Sequence, residues 1–89
     1  FPYTTLFRSL YPNPFNPVIT LDIDIHQSGV LRIEVYDVSG NFIEEINKGH
    51  VNTGKQSFQW SGNNSSSGMY FFKITDGDAV QIRKAVLLK

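Results

Sequence analysis

Hydrolysis or group transfer by a protein side chain needs a nucleophile, a base to activate it and a third group to orient the base. The bases in this chain are His26 and His50, and four of the eight serines fall in the polar stretch 61–67. No Gly-x-Ser-x-Gly nucleophile elbow occurs. Cysteine is absent, which removes thiol nucleophiles, disulfides and thiolate metal sites together. His26 falls at the end of an alternating segment and His50 in a polar, glycine-flanked stretch, both positions where solvated histidine is ordinary. Two histidines are also too few for a histidine metal site. Asp22 and Asp24 share one face of a strand and serve to keep it wet. Asp76 and Asp78 flank Gly77 and could offer oxygens to calcium, but that cation takes about six to eight ligands and no further acids lie nearby. Asn63 and Asn64 each begin an Asn-x-Ser acceptor, a match that Asn/Ser-rich segments make cheaply. The expectation is a domain that is not an enzyme and needs no metal or cofactor.

The elements that carry these residues fit one domain. The chain has 89 residues, 40% hydrophobic and 18% charged, the composition of a globular unit. Eight basic and eight acidic residues cancel without any like-charge run, and Arg83-Lys84 is too short to track phosphate, so nucleic acid is not an expected partner. A sandwich of this size with two histidines offers no cleft for a small-molecule substrate. No apolar run approaches the roughly 18 residues of a spanning helix, and no export leader opens the chain. It begins without methionine, so it reads as the tail of a longer protein.

Residues 1–9, Phe-Pro-Tyr-Thr-Thr-Leu-Phe-Arg-Ser, have neither helical nor strand period and read badly as a strand. They can be encoded by TTTCCCTACACGACGCTCTTCCGATCT, which resembles, base for base, the end of a widely used sequencing adapter. They are therefore read as non-native sequence, with an interdomain linker as the alternative, and residues 10–89 as the domain proper.

From Leu10 onward the pattern is all β. Residues 10–17 hold three prolines, which forbids a helix and disfavours a central strand, so they form an extended lead-in. Residues 18–25 alternate with Ile19, Leu21, Ile23 and Ile25 on one side, and residues 30–36 alternate again through Leu31, Ile33 and Val35. A turn at residues 27–29 makes these two a hairpin. DVSGN at 37–41 places a glycine where a tight turn needs it, before a bulged or edge strand over 42–47. A loop at 48–54 precedes a strand over 55–60, with Phe58 and Trp60 on one face. Residues 61–67 form a flexible loop by composition. Residues 69–75 are dense in aromatics and read as buried on both sides. Asp76-Gly77 marks a hairpin to a last strand over 78–89, where the pattern set by Val80 and Ile82 slips near Lys84, suggesting a bulge. Short strands at this spacing argue a small antiparallel immunoglobulin-like sandwich of about seven strands. Its expected core is aliphatic plus Phe58, Trp60, Tyr70 and Phe72.

The opening Tyr11-Pro12-Asn13-Pro14-Phe15-Asn16-Pro17, followed in order by VITLDIDI, VLRIEVYDVSGN, GKQSFQW, SGMYFFKI and RKAVLLK, resembles throughout the type A C-terminal sorting domains of the bacterial type IX secretion system. The resemblance spans residues 10–89. It implies a C-terminal signal that directs a covalently linked N-terminal cargo through the periplasm to the type IX translocon of the outer membrane. A sortase-like peptidase then removes the domain, leaving the cargo on the cell surface or outside the cell. Gly68 and Tyr70 match the family's Gly-x-Tyr, and Lys84 and Lys89 its basic closing segment. Translocon recognition by these four stands beside simpler roles: strand entry for Gly68, core packing for Tyr70, and protection of an edge strand for the lysines. An exposed C-terminal tail would also suit reading by β-augmentation. The loop at Trp60-Ser61-Gly62-Asn63-Asn64 departs from the acidic Trp-Asp-Gly loop common in the family, so any calcium bound there in relatives is not carried over. The alternative function is a retained structural or adhesive module, similar to the immunoglobulin-like domain of flagellar hook caps.

Overall fold

A computed structural model describes residues 6–89; residues 1–5 of the adapter-like opening lie outside the described residues. Seven strands follow in order: β1 (Leu6–Tyr11), β2 (Val18–Ile25), β3 (Gly29–Asp37), β4 (Phe42–Val51), β5 (Gly54–Ser61), β6 (Gly68–Asp76) and β7 (Ala79–Leu87). They form two antiparallel sheets, β1-β2-β5 and β4-β3-β6-β7, as the alternation predicts for an immunoglobulin-like sandwich. The alternating positions point inward as expected: Ile19, Leu21, Ile23 and Ile25 from one sheet meet Leu31, Ile33, Val35, Phe72 and Ile74 from the other, all essentially inaccessible.

Several local readings are corrected. β2 and β3 are not a hairpin: β2 pairs with β1 and β5, β3 with β4 and β6. Alternation shows that each strand has one wet face, and that is satisfied equally by side-by-side pairing and by stacking across a core. β4 is the expected bulged edge strand, with register shifts opposite Ile33/Glu34 and Val35/Tyr36. It runs on through residues 48–51, however, so His50 pairs with Val30 rather than sitting in a loop. β6 buries Tyr70, Phe72 and Ile74, but Met69 and Phe71 are only half-buried on the sheet's outward side. β7 has no bulge; its register with β6 is continuous from Gly68↔Leu87 to Asp76↔Ala79. The apparent slip arises because Gln81 and Arg83 occupy inward positions at the open flank, whereas Val80 and Ile82 point out, each about half exposed. The β6–β7 turn is centred one residue later than the Asp76-Gly77 reading, on Gly77 (φ 59°) and Asp78, with only the glycine at positive φ.

Residues 6–9 also overturn an expectation. They form the first part of β1, and Phe7 is buried in the core. The Phe7 N–H donates to Gln81 Oε1 at 3.2 Å, and the Arg83 guanidinium lies 5.6 Å from the Phe7 ring centroid. One inward apolar residue suffices for an edge strand, a requirement too slight to register as a period. Phe7→Ala should therefore lower the unfolding free energy by about 3 kcal/mol in urea titration, whatever the origin of this segment.

The DVSGN turn is built on its first residue. Asp37 Oδ1 accepts from the Ser39 and Asn41 N–H groups, both at 2.9 Å, while Gly40 takes φ 87°. The Asn41 backbone bond, ahead of the bonds from the Asn41 side chain and Ser39, holds the Asp37 carboxyl below the usual carboxylate range. A folded-state value depressed in this way contributes stability that is present above the unfolded pKa and lost as pH falls through the folded one. Asp37→Ala should accordingly lower Tm at neutral pH and make the acid limb of the Tm-versus-pH curve shallower.

Candidate functional site

The antiparallel register sorts the connections into two poles. At one lie the start of β1, which pairs with Asp24, and the ends of the β2, β4 and β6 strands. At the other lie the proline-rich opening, the DVSGN turn, the loop at 62–67 and the C-terminal residues. The two are separated along the molecule's 37 Å long axis.

Opening and closing motifs, about seventy residues apart in sequence, meet at this second pole. The Phe15 N–H donates to the Val86 carbonyl at 2.9 Å, the Leu88 N–H donates to the Phe15 carbonyl at 3.0 Å, and Asn13 Oδ1 accepts from the Val86 N–H at 3.1 Å. Together they place Phe15 in a parallel bridge with Leu87. The Phe15 side chain then enters the core, 1% exposed, and meets Trp60 and Phe72 edge-on at 6.0 and 6.4 Å. Trp60 in turn packs on Tyr70 at 5.4 Å and donates its indole N–H to Glu44 at 3.0 Å. Phe15 thus joins the core in place of Phe58, which is only partly buried.

The loop at 62–67 is fastened rather than slack. The Gly62 N–H donates to the Pro17 carbonyl, and the Tyr70 hydroxyl donates to the Ser66 carbonyl at 2.6 Å. A Cβ at Gly62 would stand 2.7 Å from Leu87 Cδ2, so this glycine is needed for the close approach of loop to core. No periodicity marks such a requirement in the sequence. Gly68 takes φ 153°, a backbone region open essentially to glycine, and pairs with Leu87.

Lys89 completes the cluster: its N–H donates to Ser67 Oγ at 3.0 Å and its Nζ to the Asn63 carbonyl at 2.6 Å. Lys84 does not join it. It is exposed on the outward side of β7, opposite Phe71. Of the opening motif, Pro12, Asn13, Pro14 and Asn16 are exposed; so is Tyr11, whose hydroxyl pKa is raised by its hydrogen bond to Asp22. The free edge of β7 is already taken by Asn13 and Phe15 at its C-terminal end, which restricts strand addition there.

The polar outward side of the smaller sheet offers a different chemistry. A cleft of about 390 Å³ is lined by Arg8, Ser9, Asp22, Lys55 and Ser57. Ser57 Oγ donates to Asp22 Oδ1 at 2.6 Å, and His26 Nε2 lies 3.8 Å from Asp24 rather than beside the serine. This is the wetting role read from the alternation. Among the described residues, no three of His, Cys, Asp and Glu converge as a metal would require. The second pole, by contrast, presents exposed prolines, side-chain amides and the Lys89 amine over an aromatic base.

The model of the family described as a secretion system C-terminal sorting domain matches residues 9–88. No curated protein matches the chain.

Proposed function

The chain belongs to the family of secretion system C-terminal sorting domains, type IX sorting signals, and on that premise we propose that it is the removable address of a larger exported protein. It directs a cargo joined to its N-terminal side across the periplasm to the outer-membrane translocon. A sortase-like peptidase there cuts the cargo free, and the cargo remains on the cell surface or leaves the cell. Gly68, Tyr70, Lys84 and Lys89 are the residues assigned to recognition. Tyr70 and Gly68 act by shaping the pole, and the two lysines by presenting charge.

The observation that carries this reading is the placement of the poles. The chain enters β1 at one end, and the family's opening and closing motifs are bound together at the other. A folded cargo hung from the entry pole leaves the address uncovered, whatever its size. Residues 1–9 are assigned to non-native sequence in the β1 slot, which in the native protein is filled by the residues that join the cargo to Leu10; native codons at the resequenced locus would overturn that assignment.

The test is a fusion of signal peptide, fluorescent reporter and residues 1–89 in a bacterium with a type IX apparatus. Surface reporter that has lost the domain, dependent on the translocon, is the expected result. Reporter that stays intact in the periplasm would instead support the retained structural module.

A further inference from the structure

From the register of the four-stranded sheet we infer that its outward face is a docking surface for the same face of a second copy. The two outer faces of the sandwich differ sharply. That of β1-β2-β5 carries Thr20, Asp22, Asp24, Lys55 and Ser57. That of β4-β3-β6-β7 exposes Phe42 and Ile82 by more than half and leaves Tyr36 and Phe71 half-buried. Between them lies a shallow cleft of about 320 Å³ lined by Tyr36, Gly40, Phe71, Lys73 and Ile82. An apolar patch centred on aromatic residues and rimmed by charge is the pattern of an interaction surface.

The cross-strand rows identify the occupant. From β4 to β7, one row reads Phe42, Tyr36, Phe71, Lys84 and the next Glu45, Glu34, Lys73, Ile82. A two-fold axis running along the strands between two such faces sets each row against its own reverse. Phe42 then meets the second copy's Lys84, Tyr36, whose ring the chain's own Lys73 Nζ approaches at 5.9 Å, meets its Phe71, Glu34 meets its Lys73, and at the edges Glu45 meets its Ile82. Acid meets base in both directions, aromatic meets aromatic, and a cation covers a ring. An axis perpendicular to the strands and level with Glu34 would instead stack β3 on β3 and set Glu34 against Glu34. The same operator keeps both address poles at one end, so two paired chains present two addresses side by side. The pairing goes beyond the sorting reading and does not depend on it, although it covers Lys84, so a paired copy presents Lys89 but not Lys84 to a receptor.

Four strands about 4.8 Å apart and about seven residues tall offer on the order of 450 Å² per copy, so the dimer belongs to the weak, transient class.

The experiment is sedimentation equilibrium of the 89-residue chain, with Tm measured for each variant to confirm folding. The wild type should associate reversibly, and Lys73→Glu and Glu34→Lys should each weaken association by about tenfold or more. Mixed in equal amounts, the two variants should pair with each other at least as tightly as the wild type, because at positions 34 and 73 one then carries two acids and the other two bases. A wild type that stays monomeric at about 1 mM, beyond the range of weak specific pairs, would overturn the proposal. So would association indifferent to both variants, or a mixture that stays monomeric.

Discussion

Phe15→Ala should lower the free energy of unfolding by about 3–5 kcal/mol, the range for emptying a fully buried aromatic site, and should abolish export of a fused reporter as well. The ring is 1% exposed and touches both Trp60 and Phe72, so its loss leaves a cavity walled by stiff neighbours that cannot collapse into it. The second effect follows from the backbone. Phe15 N–H and C=O hold residues 86–88, and the core-bound ring is what keeps that segment against β7. Without it, Asn13 and the exposed prolines no longer have a fixed position relative to the C-terminus. Urea unfolding reads the first loss and surface fluorescence the second. If export survives while stability falls, the joined pole is not the address.

Deleting Lys89, or changing Lys84→Ala, should do the opposite: export lost, stability nearly intact. The Lys89 bonds to Ser67 and Asn63 are exposed, and net gains from such bonds are about 1 kcal/mol or less once water can replace the partner. Lys84 lies outside the core on the outward side of β7, where surface substitutions shift stability by about 0.5 kcal/mol. Thermal unfolding of each variant beside wild type, run with the export assay, separates the two roles. A domain that melts on loss of either lysine would assign these residues to folding instead. Tyr70→Ala, which removes both a core ring and the bond that fastens Ser66, should damage both readouts.

The class of fold and the inward faces were legible in the local pattern of residues. Alternation through Ile19, Leu21, Ile23 and Ile25, and through Leu31, Ile33 and Val35, is a local property of each strand. It holds wherever the strand's partner lies, and those side chains are the buried ones. Motif order likewise carried the resemblance to sorting domains over residues 10–89, and the family match covers residues 9–88. Which strands pair emerges from the folded sheets alone, since one wet face and one dry face are compatible with either sheet. The tertiary structure also decided that Phe15, read as part of a proline-rich lead-in, is core; that Gly62 must be small; and that Asn13, Phe15 and Lys89 converge on one pole. The reason is the same in each case. These features depend on contacts between residues some twenty to seventy positions apart, such as Phe15 with Leu87 and Asn63 with Lys89, and no local period encodes a distance that the chain closes only by folding.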